Sequence, residues 1–179
     1  MAPRIDRKEP TVKPTAPLSA LLALLAALAA LPATAQVRQQ ADLTLDTANR
    51  LVAGALDACR RQDRAIVAAV LDRGGNLLAL QRTESVGPHN IEASRRKAYT
   101  ALSTRTATLD LARGAAANAD ARNLATLPEL LLLGGGVPVA AAGQVVGAIG
   151  VAGGGGAAND HACALAAIRA IPGLDQPAN

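Results

Sequence analysis

Apolar residues between positions 44 and 61 recur every three or four positions, which is the period of an α-helix. Asp42 and Thr44, at the start of this segment, carry side-chain oxygens that can accept hydrogen bonds from a first helical turn. The pattern therefore predicts an amphipathic helix that buries one face. The repeating apolar positions are Ala48, Leu51, Val52, Ala55, Leu56 and Cys59.

A β-hairpin is predicted directly after this helix. Residues 65–71 form a continuous apolar run, and the sequence DRGGN at 72–76 is a strong turn signal. A second, mostly apolar run covers 77–82. A strand that is apolar at every position is typical of a central strand with both faces buried, so we expect this of the first strand.

Two further helices are predicted in the middle of the chain. Over 91–105, apolar residues recur on one side and basic residues occupy the others. Over 106 to about 117, a shorter helical pattern follows Thr106 and Thr108, either of which could cap it. Residues 118–128 show no period and are expected to be irregular.

The last third of the chain predicts strands followed by one helix. Glycines at 134–136 mark a turn between the first two of these strands, and a glycine loop at 153–156 follows the last one. Asn159 is expected to cap a final helix over 160–171. The expected strands cover 129–133, 137–141 and 144–151.

The order of elements is therefore helix, two strands, helices, three strands and helix. Tight turns between successive strands imply antiparallel pairing. The first and last helices would then lie together on a face of the sheet. We expect an α+β fold: an antiparallel sheet with helices packed on its faces.

Residues 1–35 have the pattern of a secretory signal peptide, with basic residues, an apolar run over 18–31, and small residues at Ala33 and Ala35. The run is shorter than the ~20 residues that a membrane-spanning helix needs, and an uncleaved anchor is the alternative. We expect a periplasmic or secreted protein without stable membrane insertion after cleavage. The expected domains are a signal peptide at 1–35, a flexible segment at 36–43, a single folded domain at 44–173 and a tail at 174–179.

The composition limits both the core and the partners. Among the 179 residues there is one Tyr and no Phe or Trp, so the core must be built from small aliphatic side chains. Each of these buries little area, and oligomerisation is one way in which such a domain gains buried surface. The net charge is +4 without a dense basic stripe. Nucleic-acid binding is therefore not expected.

Cys59 and Cys163 are the two cysteines of the chain. They form neither a CxxC nor a CxxCH motif, which excludes a thioredoxin-like site and covalent attachment of a c-type haem. Both fall on apolar stripes of predicted helices. In an exported protein they could pair as a disulfide, and the alternative is two buried thiols that pack as small apolar groups.

The glycines between positions 133 and 156 allow two explanations. Tight turns and close contact between a helix and the sheet both require glycine. Alternatively, the main-chain N–H groups of 153–156, before the last helix, could attract a carboxylate or phosphate group. No Gly-Lys-Ser/Thr sequence follows, so the loop is not a P-loop.

Several segments resemble the GlcG/HbpS-type haem-binding family, which is related to the C-terminal domain of PduO-type proteins. The resemblance extends from residue 43 to residue 171 and implies a profilin-like α+β fold, homo-oligomers, and haem or corrinoid binding in some members. Ala152 and His161 depart from it, since the family has Ser and Glu there. The matching segments are AAVLDRGGNLLA at 68–79, KAYTA at 97–101, GGGVPV at 134–139, VGAIGVAG at 146–153 and Asp160.

The resemblance places Lys97 and Thr100 close to a ligand pocket. Arg96 carries charge suited to haem propionates, unless it belongs to a solvated basic helix face. His89 and His161 are candidate haem ligands, with His89 as the expected metal ligand, although both could be ordinary surface histidines. The predicted cofactor-binding residues are His89, Arg96, Lys97, Thr100, Gly134, Gly135, Gly153, Gly154 and His161.

Taken with the resemblance, these residues predict an exported protein that binds haem non-covalently, as a homo-oligomer. We expect no catalytic residues, since no GxSxG elbow or triad is visible. The alternatives are a module of the same fold that binds a small organic acid or a corrinoid, and an uncharacterised small-molecule enzyme.

Tyr99 could form a pocket wall or supply a phenolate ligand, but packing in the core or an interface is the simpler interpretation.

Overall fold

A five-stranded antiparallel sheet carries helices on both of its faces. The computed structural model describes residues 35–177, so the predicted signal peptide lies outside the described residues except for Ala35. Residues from Gln40 onward form one compact unit. The predicted α+β class, with an antiparallel sheet and helices packed on its faces, is confirmed.

The order of the strands across the sheet is β2-β1-β4-β3-β5. Among the residues described, none of the helices is both long and apolar enough to cross a membrane. The elements are α1 (Leu45–Arg60), β1 (Val67–Asp72), β2 (Leu77–Arg82), α2 (His89–Thr104), α3 (Thr108–Ala117), a 3-10 helix (Arg122–Thr126), β3 (Gly136–Ala141), β4 (Gln144–Ala152), α4 (Ala157–Arg169) and β5 (Leu174–Asp175).

The two faces of the sheet are covered by different helices. On one face α1 and α4 pack against each other and enclose the larger apolar core. Alternation along β1 separates the faces, because Ala68 and Val70 belong to this core whereas Leu71 belongs to a smaller cluster. In that cluster, Ala98 and Ala101 of α2 cover the opposite face.

A disulfide joins α1 to α4. Cys59 and Cys163 are fully buried in the larger core, and their Cα atoms lie 5.6 Å apart. Of the two alternatives that the sequence allowed for these cysteines, the structure has the bonded one. The crosslink connects positions 104 residues apart in the chain, so it ties the start of the domain to its end.

Glycine lets α2 lie directly on the sheet. A β carbon at Gly150 of β4 would overlap the carbonyl oxygen of Ser94, and one at Gly136 of β3 would overlap that of Lys97. Both glycines therefore face the backbone of α2 with no room for a side chain. Close contact between helix and sheet accounts for these glycines, and no ligand is needed to explain them.

Some predicted elements differ from those observed. The strand predicted over 129–133 is wrong: that segment is irregular, because side chains from α2 hold it instead of a neighbouring strand. The last helix begins at Ala157, earlier than predicted, so Asn159 lies within it and does not cap it. The residue before this helix is Gly156, whose φ is 140°. The second helix also begins earlier than predicted, at His89.

The folded unit includes residues beyond the 44–173 range expected from the sequence. Leu43 is buried in the larger core, and the Asp42 carboxylate accepts a hydrogen bond from the N–H of Arg73 at 2.9 Å. At the other end, Leu174–Asp175 pairs with β3 as an edge strand. The segments expected as a flexible linker and a tail therefore each contribute contacts to the domain.

Candidate functional site

Lys97 and Asp160 form a buried ion pair between α2 and α4. The Lys97 ammonium donates to Asp160 Oδ2 at 2.7 Å and to the carbonyl oxygen of Val151 at 3.0 Å. The other carboxylate oxygen, Oδ1, accepts from the N–H of Gly154 at 2.7 Å. Burial lowers the pKa of Lys97, and the hydrogen bond and charge of Asp160 oppose that shift. The pair thus joins two helices, the end of β4 and the glycine loop.

Arg96 and Thr100, one turn apart on α2, hold the irregular segment that precedes β3. The Arg96 guanidinium donates to the carbonyl oxygens of Pro128 and Leu130 at 2.6 and 2.8 Å. The Thr100 hydroxyl accepts from the N–H of Leu131 at 2.8 Å. These bonds replace the strand pairing that the segment lacks, because backbone groups that leave water need partners.

Thr108, at the start of α3, fastens the same segment further along. Its hydroxyl donates to the carbonyl oxygen of Leu133 and accepts from the N–H of Gly136, both at 2.8 Å. The side chain is fully buried. Thr108 was one of two candidate caps for this helix, but its hydroxyl is bonded to another part of the chain.

The four predicted glycines lie in two different places. Gly134 and Gly135 are buried, and β carbons there would collide with Ala157 and Val151 respectively. Gly153 and Gly154 line a cavity of about 280 Å³ beside Arg64. Arg64 donates a hydrogen bond to the carbonyl oxygen of Gly154, and the N–H of Gly154 donates to Asp160. Both backbone polar groups of Gly154 are therefore bonded.

The two histidines are not brought together. His89 is the exposed first residue of α2 and lines none of the cavities described here. His161 is half-buried on α4, and its Nδ1 has no hydrogen-bond partner among the residues described. Burial lowers the pKa of His161, Asp110 opposes the shift, and Arg113 and Arg169 add to it. Residues 35–177 contain no group of three or more His, Cys, Asp or Glu side chains arranged for a metal ion.

Two larger cavities lie along the exposed side of α2, and Tyr99 lines both. The first, which we call cavity A, has a volume of about 490 Å³. The second, cavity B, has a volume of about 670 Å³ and extends from Tyr99 to Arg73, Arg105 and Val145. The residues that line cavity A are Glu92, Arg95, Arg96, Tyr99, Pro128 and Glu129.

The charges of cavity A are partly compensated. Arg95 forms two hydrogen bonds with Glu92, at 3.0 and 2.6 Å, and this partner lowers the pKa of Glu92. Arg96 is hydrogen-bonded to two carbonyl groups and forms no ion pair with any residue described, although its charge also lowers the pKa of Glu92, and Glu129 lines the same cavity. The cavity therefore combines an aromatic wall at Tyr99 with a fixed guanidinium, a combination suited to a flat ligand that carries an anionic group.

Comparison with known proteins identifies the family. A family model described as "Haem degrading protein HbpS-like" matches residues 43–169, which is most of the chain. The chain belongs to the HbpS-like family. The resemblance drawn from the sequence motifs is thus confirmed.

Relatives of this HbpS-like chain are found among curated proteins and solved structures. Protein GlcG of Escherichia coli K12 is 34% identical over 109 residues, which cover 61% of this chain and 80% of GlcG. The crystal structure of a double mutant of Streptomyces reticuli HbpS is 35% identical, with a TM-score of 0.71, and the match covers 79% of this chain and 97% of that one. The PduOC:haem complex, 22% identical with a TM-score of 0.69 over 76% and 99% of the two chains, shares the fold.

The HbpS-like structure separates the candidate residues into three groups. Arg96 lines cavity A, and Gly153 and Gly154 line the small cavity beside Arg64. Lys97, Thr100, Gly134 and Gly135 are buried and contact other parts of the protein. The two histidines lie elsewhere.

Arg73 and Arg105 of this HbpS-like domain were not predicted from the sequence, although both line cavity B with Tyr99. Arg73 lies in the hairpin turn, and Arg105 ends α2 with a φ of 53°. Neither residue belongs to a recognisable motif. Only the packing of the hairpin beside α2 brings them to one cavity.

Proposed function

We propose that this protein binds haem non-covalently, with cavity A as the binding site. The observation that carries the proposal is the position of Tyr99 and Arg96 on one cavity in a chain of the HbpS-like family. The name of that family refers to haem, and PduOC, which has the same fold, was crystallised as a haem complex. Tyr99 is the one Tyr of the chain, which has no Phe or Trp, so no other residue of these types can form an aromatic wall.

The residues of cavity A fit the group in size and chemistry. Its volume of about 490 Å³ lies within the range of small-molecule sites, roughly 300–1,000 Å³. Arg96 and Arg95 would pair with the propionates, since guanidinium groups bind carboxylates through two parallel hydrogen bonds. Tyr99 would pack against the ring or ligate the iron, because tyrosinate is an established axial ligand.

When bound, haem supplies an iron centre that can take ligands and change redox state. The protein's own contribution would be to orient the ring against Tyr99 and to hold the propionates. Glu92 would limit that contribution, because its bond to Arg95 competes with a propionate for the guanidinium. Within the part of the chain that the structure describes, Arg96 is hydrogen-bonded to carbonyl groups and to no carboxylate, and it is therefore the main expected anchor, although Glu92 also acts on its charge.

A hemin titration tests this proposal. We expect a saturable shift of the Soret band for the wild-type protein. Arg96→Gln should weaken hemin binding by roughly ten- to a hundredfold, because a charge-assisted contact is worth about 1.5–3 kcal/mol. Arg113→Gln is the matched control, since this exposed arginine on α3 lines neither cavity, and it should leave the titration unchanged.

Two further variants distinguish the axial ligand. Tyr99→Phe keeps the aromatic wall and removes the phenolate, so we expect hemin to bind with a changed Soret position. His89→Ala should leave the spectrum as it is. Absence of any Soret shift in the wild type would refute the function, whereas a change with His89→Ala alone would move the ligand assignment back to His89.

We also propose that the protein is exported and self-associates. The pattern of residues 1–35 and the disulfide between Cys59 and Cys163 support export, because disulfides persist in oxidising compartments. The small aliphatic side chains of the core support self-association, because each buries little area and an interface would bury more. Cell fractionation with N-terminal sequencing tests the first, and light scattering on a sizing column tests the second.

A further inference from the structure

Cavity B is larger than cavity A, and the proposed haem site leaves it unused. It lies where the turn between β1 and β2, the C-terminal end of α2 and the turn between β3 and β4 meet, and Pro177 after β5 also lines it. We propose that cavity B binds a small organic molecule that carries a carboxylate or phosphate group on a flat apolar body. This site is additional to haem binding and does not depend on it.

The charge of the cavity favours an anion. Arg73 and Arg105 line it, and no Asp or Glu does. Among residues 35–177 the ion pairs with carboxylates involve other basic residues, so neither guanidinium is neutralised by one. The basic residues that do form ion pairs are Arg60, Arg95, Lys97 and Arg113.

The acidic residues nearest to Arg73 in the chain have other partners. Asp42 binds the backbone N–H of Arg73 and does not bind its guanidinium. Asp72 is bonded to the side chain and N–H of Asn76 within the turn. Burial acts to raise the pKa of Asp72, but these hydrogen bonds and those of the neighbouring glycines lower it overall. Arg73 itself donates one guanidinium N–H to the carbonyl oxygen of Val145 at 2.9 Å. That bond positions the group and leaves further N–H donors for a ligand.

The remaining walls suit the body of an organic molecule. Tyr99 and Leu102 of α2 present an aromatic ring and an aliphatic side chain, and Val145 lies on the other side. Gly75, with a φ of 85°, lies against the Tyr99 ring, so the turn adds no side chain there. Ser103 and Gln144 also line the cavity and offer neutral hydrogen-bonding groups. The lining is therefore mixed, with polar and charged groups beside the apolar patch that Tyr99, Leu102 and Val145 form.

The size of the cavity distinguishes an organic anion from an inorganic one. A volume of about 670 Å³ far exceeds that of a single phosphate ion, which would leave most of the cavity unfilled. An anion with an aromatic body would also contact Tyr99 and Leu102. We therefore expect benzoate or phenyl phosphate to bind more tightly than inorganic phosphate, and neutral benzyl alcohol to bind most weakly.

The experiment is a calorimetric titration of the full-length protein with these four probes at constant ionic strength. Saturable binding of benzoate or phenyl phosphate is expected, and the tighter of the two identifies the acidic group. Arg105→Gln should weaken that binding by roughly tenfold or more, as expected for loss of a charge-assisted hydrogen bond. Arg105→Lys should retain part of it, and Arg113→Gln should change nothing.

Either of two results would overturn the proposal. One is that neither aromatic anion binds saturably to the wild-type protein. The other is that Arg105→Gln, with an unchanged circular dichroism spectrum, binds the anion as tightly as Arg113→Gln does. Because the readout is heat and not the Soret band, a negative hemin titration leaves this test intact, and a negative result here leaves haem binding in cavity A intact.

Discussion

The Nζ atom of Lys97 lies 2.7 Å from Oδ2 of Asp160, and the two residues are only 1% and 4% exposed. They are 63 positions apart in the chain, on helices that cover different faces of the sheet. Two of the three ammonium protons are used within the protein, by Asp160 and by the carbonyl of Val151. This arrangement is that of a structural anchor between α2 and α4.

Removing one partner of this pair should destabilise the fold strongly. Asp160→Asn leaves the buried ammonium of Lys97 without a counter-charge, which costs about 3–5 kcal/mol in comparable cases. Chemical denaturation measures the change. Asp57→Asn is the control, because the pair of Asp57 with Arg60 is exposed and should contribute less than about 1 kcal/mol.

A double substitution makes this prediction sharper. Lys97→Met together with Asp160→Asn removes both charges, so the double variant should be more stable than Asp160→Asn alone. If Asp160→Asn is as stable as Asp57→Asn, the pair is not the anchor described here.

Two glycine-to-alanine changes should have opposite effects on stability, one in the contact between α2 and β4 and one on the exposed side of α3. Gly150→Ala would push a methyl group into the carbonyl of Ser94, so we expect a loss of at least about 1–3 kcal/mol from overpacking. Gly114→Ala, on α3 with no atom within 4 Å of the added carbon, should stabilise the helix by about 0.5–1 kcal/mol. Thermal and urea unfolding of the two variants test this, and a Gly150→Ala protein as stable as the wild type would contradict the close packing.

The disulfide predicts a dependence of stability on redox conditions. Cys59→Ala combined with Cys163→Ala should lower the free energy of unfolding by about 3–5 kcal/mol, because the bond closes a long loop, with 104 positions between its ends. Urea denaturation with and without reductant measures it. Reductant should bring the wild type close to the double variant and leave the variant unaffected. If the free energy of unfolding of the wild type is the same with and without reductant, the prediction is wrong.

His161 predicts a loss of stability in mild acid. Its pKa in the folded state is lowered by burial, so the unfolded chain binds a proton more readily than the folded one. The stability contribution is complete above the unfolded value of about 6.5, and it declines as the pH falls from there through the folded pKa. Unfolding free energies measured from about pH 7.5 down to about pH 5 should fall.

Substitution separates this effect from general acid sensitivity. His161→Gln should flatten the pH dependence over that range, because the titrating group is gone. His89→Gln should preserve it, since His89 is exposed on α2. Equal slopes for the His161→Gln variant and the wild type would show that another group is responsible.

The sequence predicted the fold well where the local pattern was strong. The helical period before Cys59 and the turn signal DRGGN each led to the observed element, because amphipathic periodicity and glycine turns are local properties. The prediction of a strand over 129–133 was wrong because the structure of this segment depends on distant residues. Its run of leucines is typical of a strand, but Arg96 and Thr100 of a distant helix bind its backbone. No local pattern in the sequence predicts these bonds.

The candidate site was harder to predict than the fold. Lys97 was identified through the family resemblance, yet its burial and its bond to Asp160 depend on how α4 docks against the sheet. Arg73 and Arg105 lack any motif, and they share a cavity only because the hairpin turn packs beside the end of α2. The spacing of residues along the chain does not show which of them tertiary packing brings together.

Within a single turn of α4, Asp160 reaches towards α2 and Cys163 is bonded to α1. Two interactions that hold this helix, in addition to its apolar packing, therefore depend on one short stretch of the chain. A nascent chain that ends before position 160 has neither of them, however much of the sheet it contains. The ion pair and the disulfide can form only after this turn of the helix has been synthesised.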